Sequence, residues 1–371
     1  MKITECFRRY LILPMLALLL CLLYGVNTNA ATKTGKVYFT VEKFTIGQGY
    51  VVEPCEVTIT EGEKVSSITA RVLKAKGYEY ILKNGMWYLE GIKKADSGNT
   101  KVPVCIQNEW GSSISAETDS DLCEFDYNSQ SGWMYYCNNS SPMYLPDECE
   151  AHDGDVIRWR FTLFYGDLGS DRISLPNMDT LIKSMAVYNA NKSICVEKGF
   201  QSAYKAAYDF AVNMDDHYID ENVSGHSQKE IQAKIQSLCS KLPTQTTIDR
   251  WNAEKAAAAK EAAAKAAAAK LAKKYTPVAP QWKSLKSKKT RTATLTWKKN
   301  SKATGYEIYM STKKSSGYKK IATVKSWKKI TYTKKKLTKK KTYYFKLRAY
   351  KKAGGKVYRS SFSKVKKVKV K

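Results

Sequence analysis

Histidine and carboxylate side chains are the first candidates for chemistry in this chain, and their spacing matches no catalytic or metal-binding pattern. Only three histidines occur, at His152, His217 and His226. Two of them belong to the densest group of possible metal ligands, which consists of Asp215, Asp216, His217, Asp220, Glu221 and His226. No HExxH or comparable motif fixes the spacing of these side chains. We therefore expect a solvated loop between helices rather than a metal site.

A second acidic cluster lies between residues 117 and 126. Its carboxylates are Glu117, Asp119, Asp121, Glu124 and Asp126. The segment lacks the glycine and the final glutamate of an EF-hand calcium loop, so an acidic turn is the favoured interpretation. The chain also contains no nucleophile elbow, phosphate-binding loop or dinucleotide fingerprint. The sequence thus predicts no catalytic residue, no metal and no cofactor, and we expect that the protein is not an enzyme.

The N-terminus has the pattern of a secretory signal peptide. Three cations precede an apolar run over residues 10–26, and small residues follow it at positions 28–31. A retained membrane anchor is the alternative, but Pro14 interrupts the run. No later segment approaches 18 consecutive apolar residues. We expect residues 1–30 to be removed and the mature protein to be exported, without a membrane span, and held at the cell surface by non-covalent contacts.

Export would place the cysteines where disulfides form. Seven follow the apolar run, namely Cys55, Cys105, Cys123, Cys137, Cys149, Cys195 and Cys239. The odd number requires one free thiol or an intermolecular bridge. Cys137 and Cys149 flank a turn-rich segment and are the expected local pair, while Cys195 and Cys239 could link the helices around them. A zinc site is less favoured because no CxxC pair is present.

Residues 36–170 must position most of these side chains, and they combine strand and helix patterns. Apolar residues alternate in the strand period at 36–41 and 56–60, and they recur at helical spacing between 65 and 73. Further strands are predicted at 86–92, 132–138 and 153–161, with a short helix after Pro103. A strand, a helix and then several strands indicate an α+β, β-grasp-like sheet with a helix across it.

Two late segments carry a resemblance. The strand Gly132-Trp133-Met134-Tyr135-Tyr136 and the later Asp153-Gly154-Asp155-Val156-Ile157 with Trp159 occur in this order. Together they resemble the domain similar to the C-terminal domain of transcobalamin and intrinsic factor, which is common in secreted Firmicutes proteins. The resemblance covers roughly residues 36–170. In vitamin B12 carriers this domain covers one face of the corrinoid and an α/α barrel covers the other, and no such barrel pattern follows here.

Aromatic residues of this domain are the candidate ligand contacts. Trp87, Trp133, Tyr135 and Trp159 lie on predicted strands, and their rings offer flat apolar surfaces to a small molecule. Strand alternation is also expected to bury some of these rings as core.

Helical patterns follow the mixed domain. Three amphipathic stretches between residues 176 and 251 predict a small helical bundle. Residues 252–275 are rich in alanine and repeat lysine every five positions, which leaves no apolar stripe on a helix. This composition is typical of a semi-rigid helical linker. We therefore predict domains at residues 31–175, 176–251 and 276–371, with the linker before the last.

The last domain differs sharply from the rest of the chain in charge. Residues 276–371 contain 32 lysines and arginines and one acid, Glu307, whereas residues 1–275 carry a net charge of −2. Such a charge excess commonly marks a disordered arm. Strand periodicity predicts a fold instead, because Ala293, Leu295 and Trp297 alternate with threonines and similar alternation recurs at 306–309 and 343–350.

These strands resemble a fibronectin type III domain of the Gram-positive secreted kind. The resemblance implies an all-β sandwich with Trp297 in its core and with Leu337 and Tyr343 at the corner between its fifth and sixth strands. No Arg-Gly-Asp sequence is present, so no integrin motif is carried over.

Together these features favour a non-enzymatic, exported binding or adhesion protein. The basic domain is expected to bind anionic cell-wall polymers or glycans, with nucleic acid as a non-specific partner only. The mixed domain is expected to recognise an unidentified ligand. Two alternatives are a small-molecule carrier for a corrinoid-like ligand and an accessory part of an extracellular enzyme.

Overall fold

The computed structural model describes residues 33–111, 114, 120–169, 173–219 and 225–371. Several sequence-based expectations therefore lie outside the described residues, namely the signal peptide and the side chains of Glu117, Asp119, Asp220 and Glu221. The chain forms two compact units, Met1–Asn252 and Ala253–Lys371. We describe each unit by itself.

The first unit mixes strands and helices. Its strands are β1 (Thr34–Glu42), β2 (Tyr50–Thr60), β3 (Glu63–Lys64), β4 (Tyr80–Leu82), β5 (Leu89–Ile92), β6 (Leu122–Cys123), β7 (Gly132–Cys137), β8 (Glu150–Ala151) and β9 (Val156–Thr162). Its helices are α1 (Val65–Ala75), α2 (Val104–Trp110), α3 (Asp179–Ala190), α4 (Lys192–Glu197), α5 (Gln201–Val212) and α6 (Gln228–Ser240). The predicted helix after Pro103 is confirmed as α2.

The main sheet has the strand order β2-β1-β9-β7. β1 pairs antiparallel with β2 and parallel with β9, and β7 pairs antiparallel with β9. Because side chains alternate along a strand, the register places Trp133 opposite Phe161 and Tyr135 opposite Trp159 on one face. Helix α1 lies on this aromatic face, where its Thr69 accepts a hydrogen bond from the Trp159 indole at 2.9 Å.

The other face of the sheet carries charge and packs on the helical segment. Helix α3 lies against β1, β2 and β9. Between them Glu42 is almost fully buried and accepts hydrogen bonds from Arg158 at 2.9 and 2.8 Å, while Arg160 Nε lies 3.5 Å away. Burial and the neighbouring Arg158 lower the pKa of Arg160 to about 10, which leaves it charged at neutral pH. Val156 and the partly buried Tyr38 of this face share one apolar cluster with the helical segment, and the Glu42–Arg158 ion pair lies on the same face.

The second unit begins in helix α7 (Gln245–Tyr275) and continues as a two-sheet sandwich. Almost all of α7 beyond Ile248 is exposed, as expected for a helix without an apolar stripe. The strands are β10 (Trp282–Lys286), β11 (Ala293–Trp297), β12 (Gly305–Ser311), β13 (Lys319–Val324), β14 (Thr331–Lys334), β15 (Thr342–Ala353), β16 (Lys356–Arg359) and β17 (Lys366–Lys369). One sheet has the order β10-β11-β14, and the other has β13-β12-β15-β16 with β17 also on β15.

The core of the sandwich agrees with the fibronectin-like expectation. Trp297 is fully buried and packs edge-on against Tyr306, with 5.2 Å between ring centroids. At the corner before β15, the Thr338 backbone N–H donates to the Tyr343 hydroxyl at 3.2 Å, and Leu337 is buried beside it. This hydrogen bond back to the preceding turn is the tyrosine corner of such sandwiches. The multi-domain α+β architecture with a C-terminal all-β sandwich is confirmed.

Among the helices that the structure describes, none is long and apolar enough to cross a membrane.

Candidate functional site

All four aromatic residues predicted from the sequence line one cavity of about 170 Å³ in the first unit. Trp133 and Tyr135 come from β7, Trp159 comes from β9, and Trp87 precedes β5. The remaining wall residues come mainly from loops and comprise Tyr88, Leu89, Met134, Ser141, Pro142, Leu145, Pro146 and Tyr165. The sheet thus supplies the floor of the cavity, and loops supply its rim.

The floor offers aromatic ring faces because its polar atoms are already hydrogen bonded. The Trp133 indole donates to the Leu122 carbonyl at 2.9 Å, and the Trp159 indole donates to Thr69. The Tyr135 hydroxyl donates to the Tyr144 carbonyl at 2.5 Å, and burial raises the pKa of this phenol above its ordinary value. A ligand on this floor gains apolar and aromatic contact rather than new hydrogen bonds. The arrangement therefore favours an apolar or aromatic group.

The rim is more exposed and lies beside a charged group. Tyr165 is 73% exposed, whereas the Trp159 side chain beneath it is almost fully buried. Lys83 forms an ion pair with the buried Glu124 and lies 5.1 Å from the centroid of the Tyr88 ring. Burial and a hydrogen bond to Glu124 raise the pKa of Tyr88 to about 12, so its hydroxyl stays protonated at neutral pH.

A cysteine pair brackets the loop that forms part of this rim. Cys137 Sγ, at the end of β7, lies 3.6 Å from Cys149 Sγ, and both are thiols in the structure. Residues 138–148 between them include the rim residues Ser141, Pro142, Leu145 and Pro146. Burial, followed by the neighbouring Cys149, raises the pKa of the Cys137 thiol above its ordinary range. The predicted pairing of these two cysteines stays a prediction.

The second predicted pair lies in the helical segment. Cys195 is fully buried in the apolar cluster of α3, α5 and α6, and Cys239 packs against the same cluster from its edge. Both are thiols in the structure, and their pairing also stays a prediction.

The loop predicted around His217 is a buried turn, so the expectation of a solvated loop is wrong for this residue. His217 follows a 3-10 turn at Met214–Asp216 and is only 4% exposed. Its Nδ1 lies 3.1 Å from the Phe210 carbonyl oxygen. Apolar residues of α5 cover the ring, a contact between elements that polar sequence neighbours did not reveal. Within the described ranges, no group of three or more His, Cys, Asp or Glu side chains could hold a metal ion.

The basic domain presents a second candidate surface. Its single acid, Glu307, is buried on β12 and accepts a hydrogen bond from Arg348 at 2.7 Å, with Arg359 and Lys320 at 3.4 and 3.5 Å. Burial disfavours the charged form, but these cations outweigh it, so the pKa of Glu307 lies below its ordinary value. The one negative charge is thus enclosed by cations, and the outer surface is strongly positive.

The aromatic residues of the cavity floor were predicted from the sequence, whereas most residues of its rim were not. Trp133, Tyr135 and Trp159 were predicted as aromatic residues on strands, and the register of β7 and β9 places them on one face. Tyr88, Tyr165 and the prolines of residues 138–148 lie in irregular segments, where no periodicity points to a common surface. The bracketing cysteines were the available signal that this loop is held against the sheet.

Two parts of the chain match known domain families. Residues 119–162 match the domain of unknown function DUF4430, a transcobalamin-like family, and this segment includes β7 and β9 of the cavity floor. Residues 278–365 match the fibronectin type III domain. Domains of these two kinds indicate a binding or adhesion module.

Comparison with curated proteins found no match. Among solved structures, a β-1,2-glucanase from Parabacteroides distasonis is 23% identical over 26% of this chain and 13% of its own, with a TM-score of 0.23. FN3tt mut is 29% identical over 25% of this chain and 92% of its own, with a TM-score of 0.20. A fibronectin type III domain from the human KIAA0970 protein is 19% identical over 26% of this chain and 72% of its own, with a TM-score of 0.20.

Proposed function

We propose that this protein is an exported, non-enzymatic binding protein with two attachment sites. The aromatic cavity of the first unit holds a small apolar or aromatic group of a ligand, and the basic fibronectin-like domain holds an anionic polymer of the cell surface. The observation that carries the proposal is the convergence of Trp87, Trp133, Tyr135 and Trp159 on one cavity.

The size of the cavity limits what it can enclose. An apolar cavity of about 150 Å³ accepts a benzene-sized molecule, whereas pockets for drug-sized ligands measure about 300–1,000 Å³. At about 170 Å³, the cavity suits one six-membered ring. A larger ligand would insert one ring or side group and leave the remainder against the exposed rim around Tyr165. The whole of a corrinoid is too large to enter, so a carrier function requires that it lie across the rim.

The charge of the second unit supports the proposed binding of an anionic polymer. Thirty-two cations over residues 276–371 produce a positive surface whose single acid is enclosed at Glu307. Such a surface attracts a dense polyanion more strongly than a single small anion. The N-terminal pattern of a signal peptide would deliver this surface to the outside of the cell, where wall polymers and anionic glycans are the available polyanions.

The cavity is tested by titrating the full chain with phenol and methyl β-glucoside while tryptophan fluorescence is monitored. Cyanocobalamin is titrated in the same way, and the cobalamin absorbance is monitored. We expect saturable binding of phenol, and we expect W87A to weaken it at least tenfold because one wall is removed. Trp110 is the matched control, since its ring stacks on Phe164 in the same unit, 5.7 Å away, and does not line the cavity. W110A should bind phenol as the unmodified chain does.

Three outcomes would contradict this half of the proposal. One is the absence of saturable binding of phenol, and a second is an equal loss in W87A and W110A. The third is a change in the cobalamin spectrum at ligand concentrations where phenol has no effect, which would establish the carrier function instead.

A further inference from the structure

Three segments of the basic domain meet at one end of the sandwich and form what we term the basic pole. It consists of residues 286–292, 334–341 and 369–371. Backbone hydrogen bonds join the segments: Leu337 N–H donates to the Arg291 carbonyl at 3.0 Å, and Arg291 N–H donates to the Lys371 carbonyl at 2.9 Å. Lys340 N–H donates to the Val370 carbonyl at 2.8 Å. The three segments are therefore one structural surface and not separate flexible loops.

The pole concentrates the charge of the domain. Its 18 residues include 12 of the 32 cations, whereas the other 78 residues carry 20. All 12 side chains except the half-buried Lys334 are exposed. Across the described residues 276–371, the ion pairs all involve Glu307, which lies on β12 and reaches none of the pole cations. The fold thus brings 12 like charges together without an acidic side chain among them.

Three cations of the pole occupy backbone positions that other residue types fit with less strain. In the described part of the second unit, six residues have a left-handed backbone, and three of them, Gly317, Gly354 and Gly355, are glycines. The other three are Arg291, Lys336 and Lys340, with φ of 57°, 58° and 66°. Glycine or asparagine fits this conformation with less strain. All three strained positions therefore carry a cation, and all three lie in the pole.

We infer that the basic pole binds a linear phosphodiester polymer that lacks stacking bases, of the polyol-phosphate kind. This inference rests on the proposed attachment function and names its site and partner class. Eleven of the twelve cations are lysines, which bind phosphate as mobile point charges. The 18 residues include no aromatic side chain on which a nucleic acid base could stack. A repeating phosphate backbone supplies the missing counter-charges along its length.

The test measures binding of the full chain to poly(glycerol phosphate) over a range of salt concentrations. We expect the quadruple variant K335N, K336N, K339N, K340N to bind at least tenfold more weakly. Its negative slope of log K against log[salt] should decrease in magnitude by about 3, because each lost phosphate contact contributes about −0.7 to the slope for a single-stranded polyanion. Asparagine suits the left-handed backbone of residues 336 and 340, so the variant should keep its fold.

The control variant removes the same charge from the opposite end of the sandwich. The strand register places Lys298, Lys302, Lys325 and Lys329 in the loops at that end, and all four are exposed. We expect K298N, K302N, K325N, K329N to weaken binding less than threefold. Near-UV circular dichroism of the buried Trp297 checks the fold of both variants.

The outcomes separate this inference from the proposed function. If the unmodified chain does not bind poly(glycerol phosphate), poly(dT) or hyaluronate, the attachment function itself fails. If it binds and both quadruple variants lose affinity equally, the charge acts as a whole and the pole is not a site. Tighter binding of poly(dT) than of poly(glycerol phosphate), lost in the pole variant, would identify the partner as nucleic acid and overturn the inference.

Discussion

His217 shows how burial changes the behaviour of a single side chain. The ring is enclosed beside Phe210, with 5.5 Å between ring centroids. Burial, reinforced by the charges of Arg158 and Arg160, lowers the pKa of His217 to about 4, although the Phe210 carbonyl and Asp215 act in the opposite direction. The folded unit therefore holds this histidine neutral over a pH range in which the unfolded chain binds a proton.

A stability change with pH follows from His217. The unfolded pKa is 6.5 and the folded pKa is about 4, so between these values the unfolded state binds more protons and stability falls as the pH falls. At 1.36 kcal/mol per pKa unit, we expect the free energy of unfolding to drop by about 3 kcal/mol from pH 7 to pH 4 because of this residue. Hydrogen exchange of peptides from the first unit, measured against urea concentration, gives this energy.

The matched variants isolate the contribution of His217. H217Q cannot titrate in this range, so its free energy of unfolding should lack the 3 kcal/mol component, whatever its stability at pH 7. H152Q changes a histidine whose side chain is 58% exposed and should behave as the unmodified chain does. An unchanged pH dependence in H217Q would show that other groups cause the acid destabilisation.

At the scale of elements, the loop between β7 and β8 shapes the cavity and contains the best candidate for a covalent link. Cys137 and Cys149 bracket residues 138–148, and their sulfur atoms are 3.6 Å apart. We predict that glutathione disulfide oxidises these two thiols to a disulfide bond and is itself reduced to glutathione. The new bond should stabilise the first unit by about 3 kcal/mol, the value expected for closing a loop of this length. The reaction should be slow, because the raised pKa of Cys137 keeps its thiolate population small.

Peptide mapping after alkylation identifies the link, and urea unfolding of oxidised and reduced protein gives the stabilisation. C149S should abolish the change. C239S should leave it intact, since Cys239 lies in the helical segment. A bridge from Cys137 to any other cysteine, or an oxidised protein no more stable than the reduced one, would contradict the prediction.

Strands and helices with a regular apolar pattern were predictable from the sequence, whereas their packing was not. The alternation of Ala293, Leu295 and Trp297 predicted β11, and the 3.6-residue spacing between residues 65 and 73 predicted α1. Helix α3 was also predicted, but its position on the charged face of the sheet was not. That face carries Glu42 and Arg158, which are 116 residues apart and form a buried pair only in the folded chain.

The candidate sites were also predictable only in part from the sequence. Trp133, Tyr135 and Trp159 were predicted as aromatic residues on strands, whereas the register that places Trp159 opposite Tyr135 is seen only in the fold. The joining of residues 286–292, 334–341 and 369–371 into the basic pole was not predictable, because the hydrogen bonds between them link distant turns. The composition of each turn showed lysines but gave no indication that the turns meet.

At the scale of the whole molecule, charge is divided unequally between the two compact units. The domain at residues 276–371 carries 32 cations against one acid, whereas residues 1–275 are close to neutral at −2. Like charges on one compact domain repel each other, and salt weakens this repulsion by shortening the Debye length from about 30 Å at 0.01 M to about 3 Å at 1 M. Salt should therefore affect the stability of the two units differently.

We predict that the two units unfold in separate transitions and that only the second responds strongly to salt. Raising NaCl from about 0.01 M to about 0.5 M should increase the melting temperature of the basic domain by about 5 °C, equivalent to about 1 kcal/mol for a domain of this size. The first unit should change by less than about 1 °C. Hydrogen exchange resolved by peptide during thermal unfolding distinguishes the buried strands β12 and β15 from β1 and β9.

The quadruple variants of the pole and of the opposite end serve as internal controls, because each removes four cations and should reduce the salt response. If repulsion is concentrated at the pole, K335N, K336N, K339N, K340N will reduce it more. A single cooperative transition, or an equal salt response in both units, would show that charge repulsion does not limit the stability of the basic domain.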